Sequence, residues 1–481
     1  MNRNVELEQW IIEADIGSMK LAMENGDLSS ERLTGAYLNR IKKFDGKLRS
    51  VLEVNPDALE IARELDRERI EKGSRGPLHG IPILLKDNIA TKDRMHTSAG
   101  SLALAESIAA ADAALVEQLR LAGAVLLGKT NMTEWANFMA NGMWSGYSAR
   151  GGQTLHPYGP GELFVGGSSS GSAVAVAANL AAAAIGTETD GSIIEPASQN
   201  MVVGIKPTVG LISRSGIIPI SHRQDTAGPI ARTVTDAAIL LGALTEIDYT
   251  PYLDATYLKQ ARIGIPRFYY RRLHKERLAI MEEAIAMLKE QGATIIDDVK
   301  LPCEDAEWEH ELLAIEFKQG VNAYLSALPI TPDVSVSSLR DVIAFNKEHA
   351  EAALKYGQGV LEWSETMTLT TDDPAYLARA ARTKERARGQ GIDYALNENK
   401  LDALLLPAMH DEQDPAAKAG YPLITVPAGW SEKGYRHPND FSTRGPFGIA
   451  FAGTASSEPT LIRLAYSFEQ ATKRRFPPDL E

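Results

Sequence analysis

The sequence predicts a single large α/β domain, with a mixed, mostly parallel, twisted β-sheet at its core and α-helices covering both faces. Three observations carry this. Short apolar runs that do not alternate with polar residues, among them GIPILLKDN (80–88) and LDALLLPAM (401–409), read as strands buried on both sides. Stretches with helical spacing of apolar residues fall between them, as the crossovers of parallel strands require. No internal repeat and no low-complexity linker interrupts the 481 residues.

In chain order, residues 1–75 read as an N-terminal helical segment. In NPDALEIARELDRER, Asn55 suits the N-cap and Pro56 the first helical position, while Ala58, Ile61, Ala62 and Leu65 share one face. Residues 76–245 read as the strand-rich core. GIPILLKDN supplies a strand ending at Lys86. DAALVEQLRLA (112–122) is an amphipathic helix capped by Gly123, and AVLLG (124–128) is the next strand. A Gly/Ser cluster from 166 opens a short helix, and a second hydroxyl-rich cluster, GTETDGS (186–192), is expected directly after that helix. MVVGIKPTVGLIS (201–213) reads as strand and turn. Residues 300–400 are richer in charge and read as a helical insertion near the pocket. From 400 to 475 the chain returns to the core, with LDALLLPAM and PLITVPAGW (422–430) as strands.

Composition excludes several classes of function. A formal net charge of −13 makes a general electrostatic grip on nucleic acid unfavourable. One cysteine, Cys303, allows no intrachain disulfide and no cysteine-based metal site. No run approaches the ~18 apolar residues that span a bilayer, and MNRNVELEQW lacks the apolar region of a secretory leader. The expectation is a cytoplasmic protein without membrane or nucleic-acid partners, monomeric or homodimeric, and needing no metal or cofactor.

GAVLLGKT (123–130) matches the phosphate-loop pattern G-x-x-x-x-G-K-[ST], but its context is wrong. That loop needs a strand before its first glycine and amides free to face phosphates. Here a helix precedes Gly123, and Ala124 to Leu127 form the strand itself, so Lys129 reads as a strand-end residue. Cys303 has acidic neighbours, which disfavour a thiolate. No histidine lies between His156 and His222, so a histidine-based triad would need a distant partner such as His222, His410 or His437. The two hydroxyl clusters, GGSSSGSA (166–173) and GTETDGS, admit helix capping or nucleophilic chemistry.

Longer blocks add to this. GIPILLKDNI (80–89), GKTNMTEWA (128–136), the whole of 166–213, QDTAGPIARTVTDAA (224–238), AGYPLITVPAG (419–429) and LIRLAYSFEQAT (461–472) together resemble the amidase signature enzymes. The resemblance is clear over 76–245 and weaker over 400–475. It implies the amidase signature fold and a Ser–Ser–Lys triad, with Lys86 as base, Ser168 as bridging serine after a cis peptide bond, and Ser192 as nucleophile. It also implies an oxyanion hole from the backbone N–H groups of Thr189, Asp190, Gly191 and Ser192. Such chemistry needs a neutral Lys86, and burial at a strand end lowers an amine pKa. Asp87 is expected to face away from Lys86, because successive strand side chains alternate.

Three departures from the family pattern are present, and two of them bear on substrate. Asp190 stands where the family usually has glycine, as in the peptide amidase branch; it either contacts a substrate N–H or caps the turn. Glu188 replaces the usual aspartate. Ile194 stands where the glutaminase chains of amidotransferases carry arginine, so a neutral or peptidic amide is favoured over glutamine. Gln224, Met139 and Asn141 are candidate pocket residues, with MANGMWS (139–145) as a candidate wall; Asp225 lines the pocket or is paired structurally. The expected function is hydrolysis of peptide amides or other neutral amides to carboxylate and ammonia or amine. The alternatives are the glutaminase A subunit of a tRNA-dependent amidotransferase and a non-catalytic binding protein on the same fold.

Overall fold

The computed structural model describes residues 3–329, 331, 334–409, 414–435 and 441–481. Thirteen strands are present among them: β1 (Val51–Val54), β2 (Pro82–Lys86), β3 (Val125–Thr130), β4 (Tyr147–Ser148), β5 (Gly152–Gln153), β6 (Ala183–Glu188), β7 (Val203–Lys206), β8 (Thr226–Ala231), β9 (Arg262–Ile265), β10 (Thr294–Asp297), β11 (Ala403–Pro407), β12 (Leu423–Ser431) and β13 (Gly445–Ala452). β4 and β5 form a small hairpin. The other eleven make one sheet, in the order β1-β3-β2-β6-β8-β7-β12-β13-β11-β9-β10.

The sheet is mixed. Parallel pairing joins β3, β2 and β6 in one block and β11, β9 and β10 in another. The strands between the blocks, and the edge strand β1, pair antiparallel. Every residue of β2, β3, β6, β7, β8, β11 and β13 is buried. Strand side chains alternate between faces, so burial of all of them requires cover on both sides. Helices such as Ser170–Ala177, Val234–Thr245 and Glu458–Thr472 supply it.

Three expectations need correction. The first 75 residues are not all helical: β1 pairs with β3 at the sheet edge, because Val51–Val54 is a half-exposed run whose partner strand supplies the missing hydrogen bonds. The helix beyond it is Ala58–Lys72 with Asp57, not Asn55, at its N-cap. Asn55 instead donates to Leu126 O (2.8 Å) and accepts from Asp57 N–H (2.9 Å), tying the helix entrance to β3. Finally, GTETDGS does not follow the short helix directly. The helix ends at Ala177, and Ala183–Glu188 is β6. An unbroken run of small apolar residues carries no period with which to separate the two.

Residues 300–400 hold helices Glu311–Ser326, Leu339–Glu348, Ala350–Ala353, Gly359–Glu365 and Pro374–Ala387, with no strand of the main sheet among the described residues. A second apolar cluster holds this excursion to the core: Phe317 packs edge-on to Trp135 (6.1 Å between centroids) and against Phe138 (4.8 Å).

Candidate active site

Lys86 ends β2, and the parallel pairing β2–β6 brings it beside Thr187 near the end of β6. The lysine is fully buried. Its Nζ lies 2.8 Å from Ser168 Oγ, 3.0 Å from Ser169 Oγ and 3.0 Å from the Thr187 carbonyl. Burial is the largest influence on this amine and lowers its pKa to about 7, although Glu188 and Asp225 pull the other way. Asp87 does not contribute. It turns away, as alternation requires, and accepts from Ser98 Oγ, Gly100 N–H (2.9 Å) and Arg150 Nη1 (3.3 Å).

The hydrogen-bond pattern around Nζ has a direction. Ser169 Oγ donates to Thr187 O (3.1 Å) and accepts from Thr187 N–H (3.2 Å). Its proton is committed, so toward Lys86 it can only accept. The carbonyl of Thr187 is likewise only an acceptor. A neutral amine at Lys86 uses its two hydrogens on these groups, which leaves its lone pair toward Ser168 Oγ. Nothing in the sequence distinguishes Ser169 from its neighbours in the Gly/Ser cluster.

The bond Gly167–Ser168 is cis. Ser168 is fully buried and Ser192 is 6% exposed. The Ser192 carbonyl accepts from Ser169 N–H at 3.2 Å, which fixes the two hydroxyl clusters against each other. Ser192 Oγ makes no hydrogen bond to a described residue. Nor do the N–H groups of Thr189, Asp190, Gly191 and Ser192 find an acceptor among the described residues. Four consecutive free amides before a hydroxyl form a ready cradle for an oxyanion. Gly191 has φ +73°, a conformation that a side chain would strain, at the turn that lines these amides up. Behind the turn, Glu188 Oε2 accepts from Ile193 N–H (2.6 Å) and Ile194 N–H (3.0 Å), so this residue anchors the helix that follows.

Asp190 is paired with Lys418, a residue that carries no signal in the sequence. Lys418 also bonds Asp414 at 3.0 Å. Burial pushes the Asp414 carboxyl up to about 6, with Asp190 adding to the shift. Lys418 loses to burial but gains more from its two carboxylates, so its pKa is raised. Gln224 lies at the site: its Nε2 donates to Thr189 O at 3.1 Å. Asp225 accepts from Thr189 Oγ1 (2.6 Å), Ile220 N–H (2.8 Å) and Ser221 N–H (2.9 Å), which is structural pairing within the site wall. Burial raises its pKa to about 6.

The remaining candidates lie elsewhere. Met139 is buried in the second apolar cluster with Trp135 and Phe317. Asn141 is exposed and lines a pocket of about 500 Å³ with Phe138, His310 and Trp363. Lys129 lies in β3 and donates to Ile89 O (2.6 Å) and Thr97 Oγ1 (2.9 Å), a structural role incompatible with a phosphate loop. Cys303 is buried, which pushes its thiol up to about 11. His222 is exposed, and no histidine bonds Ser168 or Ser192 among the described residues; His410 and His437 lie outside them. No group of His, Cys, Asp and Glu suited to a metal occurs among the described residues. No described helix is long and apolar enough to cross a membrane.

Fold and site together define an amide-cleaving hydrolase class, and the chain belongs to the amidase family, whose model matches residues 32–462. It is 43% identical to a probable amidase of Arabidopsis thaliana over 97% of this chain and 92% of that protein. The native peptide amidase of Stenotrophomonas maltophilia has a similar structure, with a TM-score of 0.89 and 45% identity over 98% of this chain and 99% of that one. The A subunit of the glutamyl-tRNA(Gln) amidotransferase from Moorella thermoacetica is more distant, 31% identical over 94% of this chain and 95% of that protein.

Proposed function

We propose that this amidase hydrolyses peptide amides or other neutral carboxamides through Lys86, Ser168 and Ser192. One observation carries the reading: the Nζ of a fully buried lysine, an amine whose pKa burial lowers to about 7, lies 2.8 Å from Ser168 Oγ. Ser168 passes its proton to Lys86 as it takes one from Ser192, and Ser192 Oγ attacks the amide carbonyl carbon. Catalytic hydrogen bonds tighten in substrate complexes, so the Ser192–Ser168 contact closes there. The four free amides receive the oxyanion, each worth ~2.7–4 kcal/mol if lost. Collapse expels ammonia or an amine, protonated through the same relay. Water then frees the carboxylate from the acyl-enzyme.

Likeness to a peptide amidase structure supports peptide amides as the substrate class, and the buried Ile194 supports a substrate without a carboxylate at that point. Ammonia release from a panel of C-terminally amidated peptides, aryl amides and glutamine tests this. Peptide amides should be cleaved, and Ser192→Ala and Lys86→Ala should each abolish the activity. Cleavage of glutamine alone, and only with partner subunits, would favour the amidotransferase reading. A folded protein inert to every amide would leave the binding-protein reading.

A further inference from the structure

A cavity of about 700 Å³ is lined by residues of the 268–272 and 304–310 segments and by Asp414. Asp414 lies on its wall, and Lys418 joins Asp414 to Asp190. The cavity therefore comes within one ammonium group of the Thr189–Ser192 segment. His310 also lines the pocket that holds Asn141, so the two spaces share one lining residue.

The lining has a distinct chemistry. Phe268, Tyr269 and Trp308 supply aromatic surface. Glu304, Asp305 and Glu307 supply negative charge. The two arginines there offset only part of it. Arg271 lies on the Phe268 ring (3.4 Å) and only approaches Asp305 (3.9 Å, both exposed), while Arg272 has a partner of its own. Glu304 Oε2 is buried without a hydrogen-bond partner, and Glu307 forms no ion pair among the described residues. Carboxylates and aromatic rings in one lining attract a cation, by charge and by the ring quadrupole. The net charge of −13 draws cations in from a distance.

We propose that this cavity receives the cationic side chain of a lysine or arginine in the substrate, so that the protein favours amidated peptides with a basic residue near the amidated end. The inference rests on the amide-hydrolase reading and narrows it. The test compares kcat/KM for acetyl-Arg-Leu-amide, acetyl-Leu-Leu-amide and acetyl-Glu-Leu-amide, in the wild type and in Glu304→Gln/Glu307→Gln. The wild type should prefer the arginine peptide over the leucine peptide at least tenfold and disfavour the glutamate peptide. In the double variant that ratio should fall toward one, chiefly through KM for the arginine peptide. Turnover of all three without a basic preference, or a preference that survives in the variant, overturns the cavity assignment and leaves the hydrolase reading standing. If no peptide is cleaved, calorimetric binding of acetyl-Arg-Leu-amide decides: binding lost in the double variant sustains the cavity and sinks the hydrolase, and no binding sinks both.

Discussion

At the scale of single residues, the proposed relay depends on the charge state of Lys86. Its folded pKa is about 7, below the ordinary lysine value. Between about pH 7 and 10 the unfolded chain therefore holds up to one more proton at this position than the folded chain. Unfolding free energy should rise with pH across that window, by about 1.4 kcal/mol per pH unit from this group. Urea denaturation of the wild type and Lys86→Met at pH 7, 8 and 9 checks this: the difference between them should move in favour of the wild type as pH rises. A constant difference would mean that the amine stays charged. Ser192→Ala, in the proposed relay, should lower kcat by ~10⁴-fold or more with the fold intact, as loss of a nucleophile does in other hydrolases. As candidates, Lys86, Ser168 and Ser192 are legible in the sequence because each lies in a contiguous block that resembles the amidase signature enzymes. Lys418 is not: it meets Asp190 from 228 residues away, and nothing local in AAKAG announces an ion pair.

At the scale of elements, the site exists because the helix Ser170–Ala177 sits hard against the edge of the sheet. A Cβ on Gly171 would collide with the carbonyl oxygens of Asn131 and Ser50, so only glycine allows this approach. Gly171→Ala should cost about 1–3 kcal/mol by overpacking and also lower activity, because Ser168 and Ser169 lead directly into that helix. Chemical denaturation and amide turnover measure the two effects; an unchanged stability would show that the helix can shift freely. Buried strands such as β2, β3 and β11 are legible as unbroken apolar runs. β13 (GPFGIAFA) is not, since Gly and Pro weaken its strand character and its identity comes from neighbours on both sides. The antiparallel pairing at the sheet centre is equally silent, because apolar runs report burial and not direction.

At the scale of the whole molecule, the helical excursion over 300–400 is joined to the core near the site. Glu316 accepts from Ser221 Oγ, Arg223 Nε and Tyr376 OH, which ties the helix Glu311–Ser326 to the loop that carries Asp225. Phe317, from the same helix, fills the second apolar cluster. Phe317→Ala should cost about 3–5 kcal/mol and expose residues 300–400 to proteolysis before the sheet. Limited proteolysis with mass mapping reads this out, and first cleavage elsewhere would separate the excursion from that cluster. The helical character of this region is legible in its composition, but its attachment depends on contacts across the fold. The central claim remains that a buried neutral amine activates serine for amide hydrolysis. The pH profile of kcat/KM for an amidated peptide tests it most directly. The account predicts a single rise with midpoint near 7 and a plateau above it, abolished in Lys86→Ala. An unchanged profile and rate in Lys86→Ala would contradict it.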